Sequence, residues 1–179
     1  MAYPKQGSIF SLEFEMKSAI GLQRRNGALD AVDVGILAAL GRDARITTTE
    51  LARSAGMSAP SIAERVRRLE AAGIITGYSV EIEPAALGFT LTALIRIRPL
   101  AGQLQKVAGL IDGTEEVVEC HRTTGDDCFV AKAHLRDVLH LERVIDRFTP
   151  YAQTNTSIVQ SSPVKRRLPA LAGEGGPVS

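Results

Sequence analysis

Residues 47–73 read TTTELARSAGMSAPSIAERVRRLEAAG. Thr47 stands three residues before Glu50, the spacing at which a hydroxyl and a carboxylate cap a helix start reciprocally. The helix opened there places Leu51 and Ala55 on one face and stops at Gly56, which permits a sharp turn. Ser58 then caps a longer helix, with Pro60 tolerated in its first turn. Ile62, Val66 and Leu69 follow at the i, i+4, i+7 spacing of a buried stripe, and Gly73 ends the segment. A short capped helix, a glycine turn and a longer helix with a matched apolar face predict a helix-turn-helix, with Ala52 small enough for the pair to approach closely.

With the apolar stripe inward, Pro60, Glu64, Arg67 and Arg68 project outward, flanked by Ser61 and Arg65. Three arginines on a helix often do no more than solvate it. The turn glycine and the capped first helix favour recognition of double-stranded DNA instead. The expected contact set is Ser58, Ser61, Glu64, Arg65, Arg67 and Arg68 on the second helix, with Thr47, Thr48 and Thr49 against backbone phosphates. Charge adds little: residues 1–80 carry 10 Lys/Arg against 8 Asp/Glu, and residues 81–179 carry 11 against 12.

Upstream, residues 1–28 are weakly patterned and form an N-terminal extension. Helical order starts at Asp30, with Val32, Ile36, Leu37 and Leu40 on one face and Gly41 as its C-terminal breaker. The trihelical, winged unit spans 29–73. Residues 74–88 alternate loosely as an extended linker that Pro84 stops. From Thr90 the pattern predicts strand (LTALIRIR), helix (about 102–111), strand (about 115–123), tight turn, strand (about 127–134), helix (about 136–148) and strand (about 152–160). The order βαββαβ predicts a ferredoxin-like domain over 89–164, so the fold class is α+β. The Pro/Gly-rich tail, 165–179, is expected to be disordered.

One helix-turn-helix buries too little surface for tight specific binding, so a dimer is expected. The sheet face not covered by helices is its expected device, supplied by Val118, Cys120 and the isoleucines of the first strand. Composition agrees with a packed aliphatic core: 45% apolar, 23% charged and only 4% aromatic residues, without tryptophan. The N-terminal stretch has no long apolar run, and no run approaches the roughly 18 residues that cross a bilayer. A cytoplasmic protein with no membrane partner is expected.

Residues 120–134, CHRTTGDDCFVAKAH, hold both cysteines and two of the three histidines. Zinc ligands usually come in close pairs, whereas Cys120 and Cys128 fall on neighbouring strands and adjacent Cys120 and His121 point to opposite faces. No nucleophile elbow, phosphate-binding loop or dinucleotide fingerprint is present. Neither a metal, a cofactor nor an enzymatic activity is therefore expected, and the cysteines read as small buried hydrophobes.

The span Leu29–Gly88, with its opening LDxxDxxIL, the DAR before the second helix and RVRRLEAAGIITGY, resembles the Lrp/AsnC (feast/famine) transcription regulators. A TG-D turn at Thr124, Gly125 and Asp126 and the final TNTSIVQSSPVK extend the resemblance to about residue 165. It implies a regulator whose homodimers assemble to octamers or other multiples, with a small effector, an amino acid or related metabolite, bound between dimers. By the same resemblance, Thr124, Gly125, Asp126 and Asp127 form part of the effector site. The sequence departs from the family pattern in having Asp126-Asp127-Cys128 after Gly125 and Pro150-Tyr151-Ala152 before the last strand. An effector-independent protein that wraps DNA with little sequence preference is the alternative.

Overall fold

The computed structural model describes residues 29–171; the N-terminal extension, 1–28, lies outside them. The chain forms two compact units, residues 29–81 with 164–171, and Ile82–Pro163. In the first unit, α1 (Ala31–Arg42) begins at Asp30. The Asp33 N–H donates to Asp30 Oδ1 at 2.8 Å and the Asp30 N–H to Asp33 Oδ2 at 3.4 Å, so two otherwise orphaned donors are satisfied reciprocally. Helix α2 (Thr48–Ala55) has the expected Thr47–Glu50 box, and Gly56 ends it in the left-handed region at φ +64°. Helix α3 (Ala59–Ala71) starts on Ser58, whose Oγ accepts from the Ser61 N–H, with Pro60 in the first turn.

Ile36, Leu51, Ala52, Ile62 and Leu69 form the core of this unit, with Val66, Leu37 and Ile46 packed around them. Ala55, expected to share the buried face, is exposed. Gly41 is not a breaker: α1 continues through it to Arg42. Beyond Gly73 the chain bends at Ile74 and Ile75, whose N–H groups donate to the Leu69 carbonyl, and then runs to Glu83 without helix or paired strand among the described residues; a 3-10 turn at Pro84–Leu87 follows.

The second unit has strands β1 (Leu91–Pro99), β2 (Val117–Arg122), β3 (Phe129–Leu135) and β4 (Ala152–Ile158), with α4 (Leu104–Asp112) and α5 (Val138–Asp146) as crossovers. The sheet order is β2-β3-β1-β4 and every pairing is antiparallel. This is the expected ferredoxin-like topology, with most elements one or two residues shorter at their ends. Period-2 burial selects Ala93, Ile95 and Ile97 on β1 and Phe129, Ala131, Ala133 and Leu135 on β3. Val107, Ala108 and Ile111 of α4 and Leu141 and Val144 of α5 pack against them in one core.

That packing corrects the expected dimer face. Ile95 and Ile97 are fully buried toward the helices, and Cys120 lies beside the same core. The opposite face carries Leu94, Arg96 and Arg98 on β1, Val130 and Lys132 on β3, Glu119 and His121 on β2. A bulge between Val117 and Glu119 leaves Val118 exposed. The open face is therefore amphipathic and largely cationic, not aliphatic.

Candidate DNA-binding and effector-binding sites

On α3 the outward set divides by what each side chain already holds. Arg67 is 69% exposed and, among the described residues, paired only with the equally exposed Glu64, at 2.7 Å. Such a solvated pair contributes little to stability and is free to exchange Glu64 for a phosphate. Arg68, 60% exposed, gives one nitrogen to Asp33 Oδ2 at 2.7 Å. Arg65 is different: only 23% of its side chain is exposed, and its Nη1 donates to Asp30 Oδ2 at 2.6 Å and Asp33 Oδ1 at 2.8 Å. These bonds stabilise the charged guanidinium, raising its pKa further, while the Asp33 N–H and the Arg65 bond hold the Asp30 carboxyl below its usual range.

Asp33 is only 2% exposed and draws both arginines to the N-terminal half of α1. The motif pair Asp30 and Asp33 thus caps α1 and fixes α3 across it. The expected hydroxyl contacts are also partly committed. The Thr47 hydroxyl and N–H both donate to Glu50, and these two bonds, hydroxyl first, depress the Glu50 pKa. Ser58 Oγ and Ser61 Oγ lie 2.8 Å apart as one hydrogen-bonded pair. Thr48, Thr49, Pro60 and Ser61 are exposed along the leading ends of α2 and α3.

In the second unit, the turn Thr124–Asp127 joins β2 to β3. The Thr123 N–H donates to the Cys128 carbonyl at 2.9 Å, and its hydroxyl donates to the Asp127 carbonyl. Gly125 sits at φ +101°, a conformation that side chains resist. Sequence reasoning missed Arg98, which reaches this turn from β1. Its Nε donates to the Asp126 carbonyl at 3.1 Å, and its Nη2 lies 3.5 Å from Asp126 Oδ2 and 3.6 Å from Asp127 Oδ1. An open cavity of about 490 Å³ adjoins, lined by Arg96, Arg98, Asp127, Gln153, Thr154 and Asn155. Of the four predicted turn residues, only Asp127 lines it. The available signal was LIRIR, whose alternation sets Arg96 and Arg98 on one face opposite Ile95 and Ile97.

The cysteines and histidines of the β2–β3 hairpin do not converge. Cys120 stands opposite Ala131, while Cys128 is hydrogen-bonded to Thr123 through its carbonyl. His121 bonds Glu119 at 2.8 Å and His134 bonds Thr92 at 3.0 Å. Burial raises the Cys120 pKa, the wrong direction for a nucleophilic thiolate. Among the described residues no three His, Cys, Asp or Glu side chains form a metal-binding group.

Residues 29–76 match the model of a winged helix-turn-helix DNA-binding domain, and residues 92–169 match that of the Lrp/AsnC ligand binding domain. The chain is 31% identical over 133 residues to the HTH-type transcriptional regulator LrpC of Bacillus subtilis, covering 74% of this chain and 92% of LrpC. The chain belongs to the Lrp/AsnC family. It is 35% identical to LrpA of Mycobacterium tuberculosis, over 73% of this chain and 88% of LrpA. The solved structure of B. subtilis LrpC superposes with a TM-score of 0.74 at 29% identity, covering 78% of this chain and all of that one. A feast or famine regulatory protein from M. tuberculosis, solved in complex with L-methionine, gives 0.73 at 32% identity, covering 79% and 98% respectively. This Lrp/AsnC protein is accordingly a transcriptional regulator rather than an enzyme, with a DNA-binding and a ligand-binding domain. Among its described residues, no helix is long and apolar enough to cross a membrane.

Proposed function

We propose that this regulator binds specific DNA sequences through the outer face of α3 and that a free amino acid modulates the binding. The observation carrying the DNA assignment is the division of labour on α3, where Arg65 is bound to Asp30 and Asp33 while Arg67 and part of Arg68 stand open beside the exposed Ser61. Arg67, Arg68 and Ser61 then meet base edges and phosphates in the major groove, and Thr48 and Thr49 meet the backbone beside it. Thr47 and Ser58 act mainly as caps, Glu64 orients Arg67, and Arg65 is a positioning residue that holds α3 to α1.

The turn Thr124–Asp127 and Arg98 form the effector site in this proposal. Asp126 and Asp127 offer carboxylates to an ammonium group, and Arg98 offers a guanidinium to a carboxylate, the complement of a zwitterionic amino acid. The methionine complex of the mycobacterial relative supports that ligand class. Homodimers, assembling further to octamers or another multiple, complete the picture. Exposed Val80 and Ile82, on a segment without strand pairing among the described residues, and Leu94 and Val118 in the second unit are apolar surface for subunit contact.

A single titration tests these claims together. Fluorescence anisotropy on a DNA fragment selected by the protein is expected to show a complex that resists excess unrelated DNA. Its midpoint is expected to move at least threefold with one of the amino acids. Equal competition by every sequence would reject the sequence-specific role in favour of DNA wrapping. An unmoved midpoint across all of the amino acids would reject the effector.

A further inference from the structure

Lys165, Arg166 and Arg167 are consecutive, exposed and without an ion pair to any described residue. They follow the ferredoxin-like domain in sequence, yet residues 164–171 belong to the same compact unit as the three helices. One contact between that segment and α1 is close. Leu168 lies against Gly41 so closely that a Cβ there would stand 2.2 Å from Leu168 Cδ1 and 2.9 Å from Cγ. Glycine inside a helix costs about 1 kcal/mol relative to alanine. At Gly41 that cost has a structural return: the missing side chain is the seat of Leu168.

The seat lies at the end of the helical unit that leads into α2. Arg42 closes α1, and a tight turn follows in which the Arg45 N–H donates to Asp43 Oδ1 at 2.8 Å and the Ile46 N–H to the Asp43 carbonyl at 3.2 Å. Thr47, the cap of α2, comes next. Arg42 and Arg45 are exposed and, among the described residues, carry no ion pair either. Leu168 therefore brings three further cations to an end of the domain that already has two. Leu168 remains 48% exposed, but an anchor there would raise the effective concentration of these cations at any DNA bound by the unit.

We propose that Lys165, Arg166 and Arg167 form a basic arm, seated on Gly41 through Leu168, that binds the phosphate backbone flanking the sequence contacted by α3. The proposal rests on the DNA-binding role of α3. The arm carries no base-reading geometry, so it adds affinity for every sequence alike. Each phosphate neutralised on duplex DNA adds roughly 0.9 to the slope of log affinity against log salt.

The test uses the full chain and two duplexes, one selected by the protein and one unrelated, titrated across a series of salt concentrations. K165Q/R166Q/R167Q is expected to weaken both complexes about tenfold or more at low salt and to make the slope shallower by roughly 2–3. Gly41→Ala keeps every charge, favours the helix and displaces Leu168. It is expected to weaken both complexes severalfold while the unfolding midpoint stays level or rises. An unchanged slope in the triple variant overturns the arm, and wild-type affinity in Gly41→Ala overturns its anchoring. Arg67→Ala, run in parallel, separates the two proposals: a shallower slope there with none in the triple variant removes the arm and leaves α3 in place, whereas no change in either removes the α3 assignment as well.

Discussion

Asp33 is almost wholly buried, yet it accepts from Arg65, from Arg68 and, through Oδ2, from the Asp30 N–H. A buried carboxylate is tolerated because its oxygens are filled by charged and neutral donors. Removing it leaves Arg65 facing Asp30 alone and Arg68 without its partner on α1, so the polar brace between α3 and α1 is weakened while their shared core remains. Asp33→Ala is expected to lower stability by about 2–3 kcal/mol, less than the 3–5 kcal/mol of a fully buried pair because both arginines keep water contact. Urea unfolding of the variant measures this, and a change under 1 kcal/mol would remove Asp33 from the account. The sequence shows Asp30 and Asp33 three apart and Arg65 and Arg68 three apart, each pair on one helical face. What it does not show is that the two faces meet, because that depends on how α1 and α3 cross. The same limit hid Arg98, whose spacing gave its face but not its reach to the turn.

Helices and strands were the most legible level, because caps, glycines and the period of the apolar residues all act locally. Glycine was the exception, since one residue type serves two purposes. Gly56 has φ +64° and ends α2, as its place after a two-turn pattern suggested. Gly41 stays helical and instead admits Leu168, a contact between residues too distant in sequence to be foreseen. The two positions should respond oppositely to alanine. Gly56→Ala forces a side chain into the left-handed region and is expected to cost about 1–2 kcal/mol, lowering the thermal midpoint. A midpoint equal to wild type would mean that the turn relaxes and that its geometry does not depend on glycine. The 3-10 turn at Pro84–Leu87 gave no periodic signal beyond its proline, and it was read simply as the end of the linker.

At the scale of the whole molecule, the βαββαβ order was readable because strands and helices alternate with distinct periods, and the sheet order follows from right-handed crossovers. The character of the open sheet face was not. LTALIRIR satisfies both faces at once, isoleucine inward and arginine outward, and only the packing of α4 and α5 decides which is which. A cationic open face with Glu119 and exposed Leu94 and Val118 suits a mixed, self-complementary contact better than a purely apolar one. The two domains divide the work, one for DNA and one for ligand, and in the proposed reading the first presents α3 to DNA from a braced helical unit while the second also supplies subunit surfaces. The proposed contact between DNA and the unbraced part of α3 is isolated by Arg67, whose ion-pair partner among the described residues is the exposed Glu64 alone. Salt-dependent binding of Arg67→Ala to the selected duplex tests that claim most directly. Weaker binding, a slope shallower by about 1 and an unchanged unfolding midpoint are expected; wild-type affinity with a wild-type slope would remove Arg67 from the DNA interface.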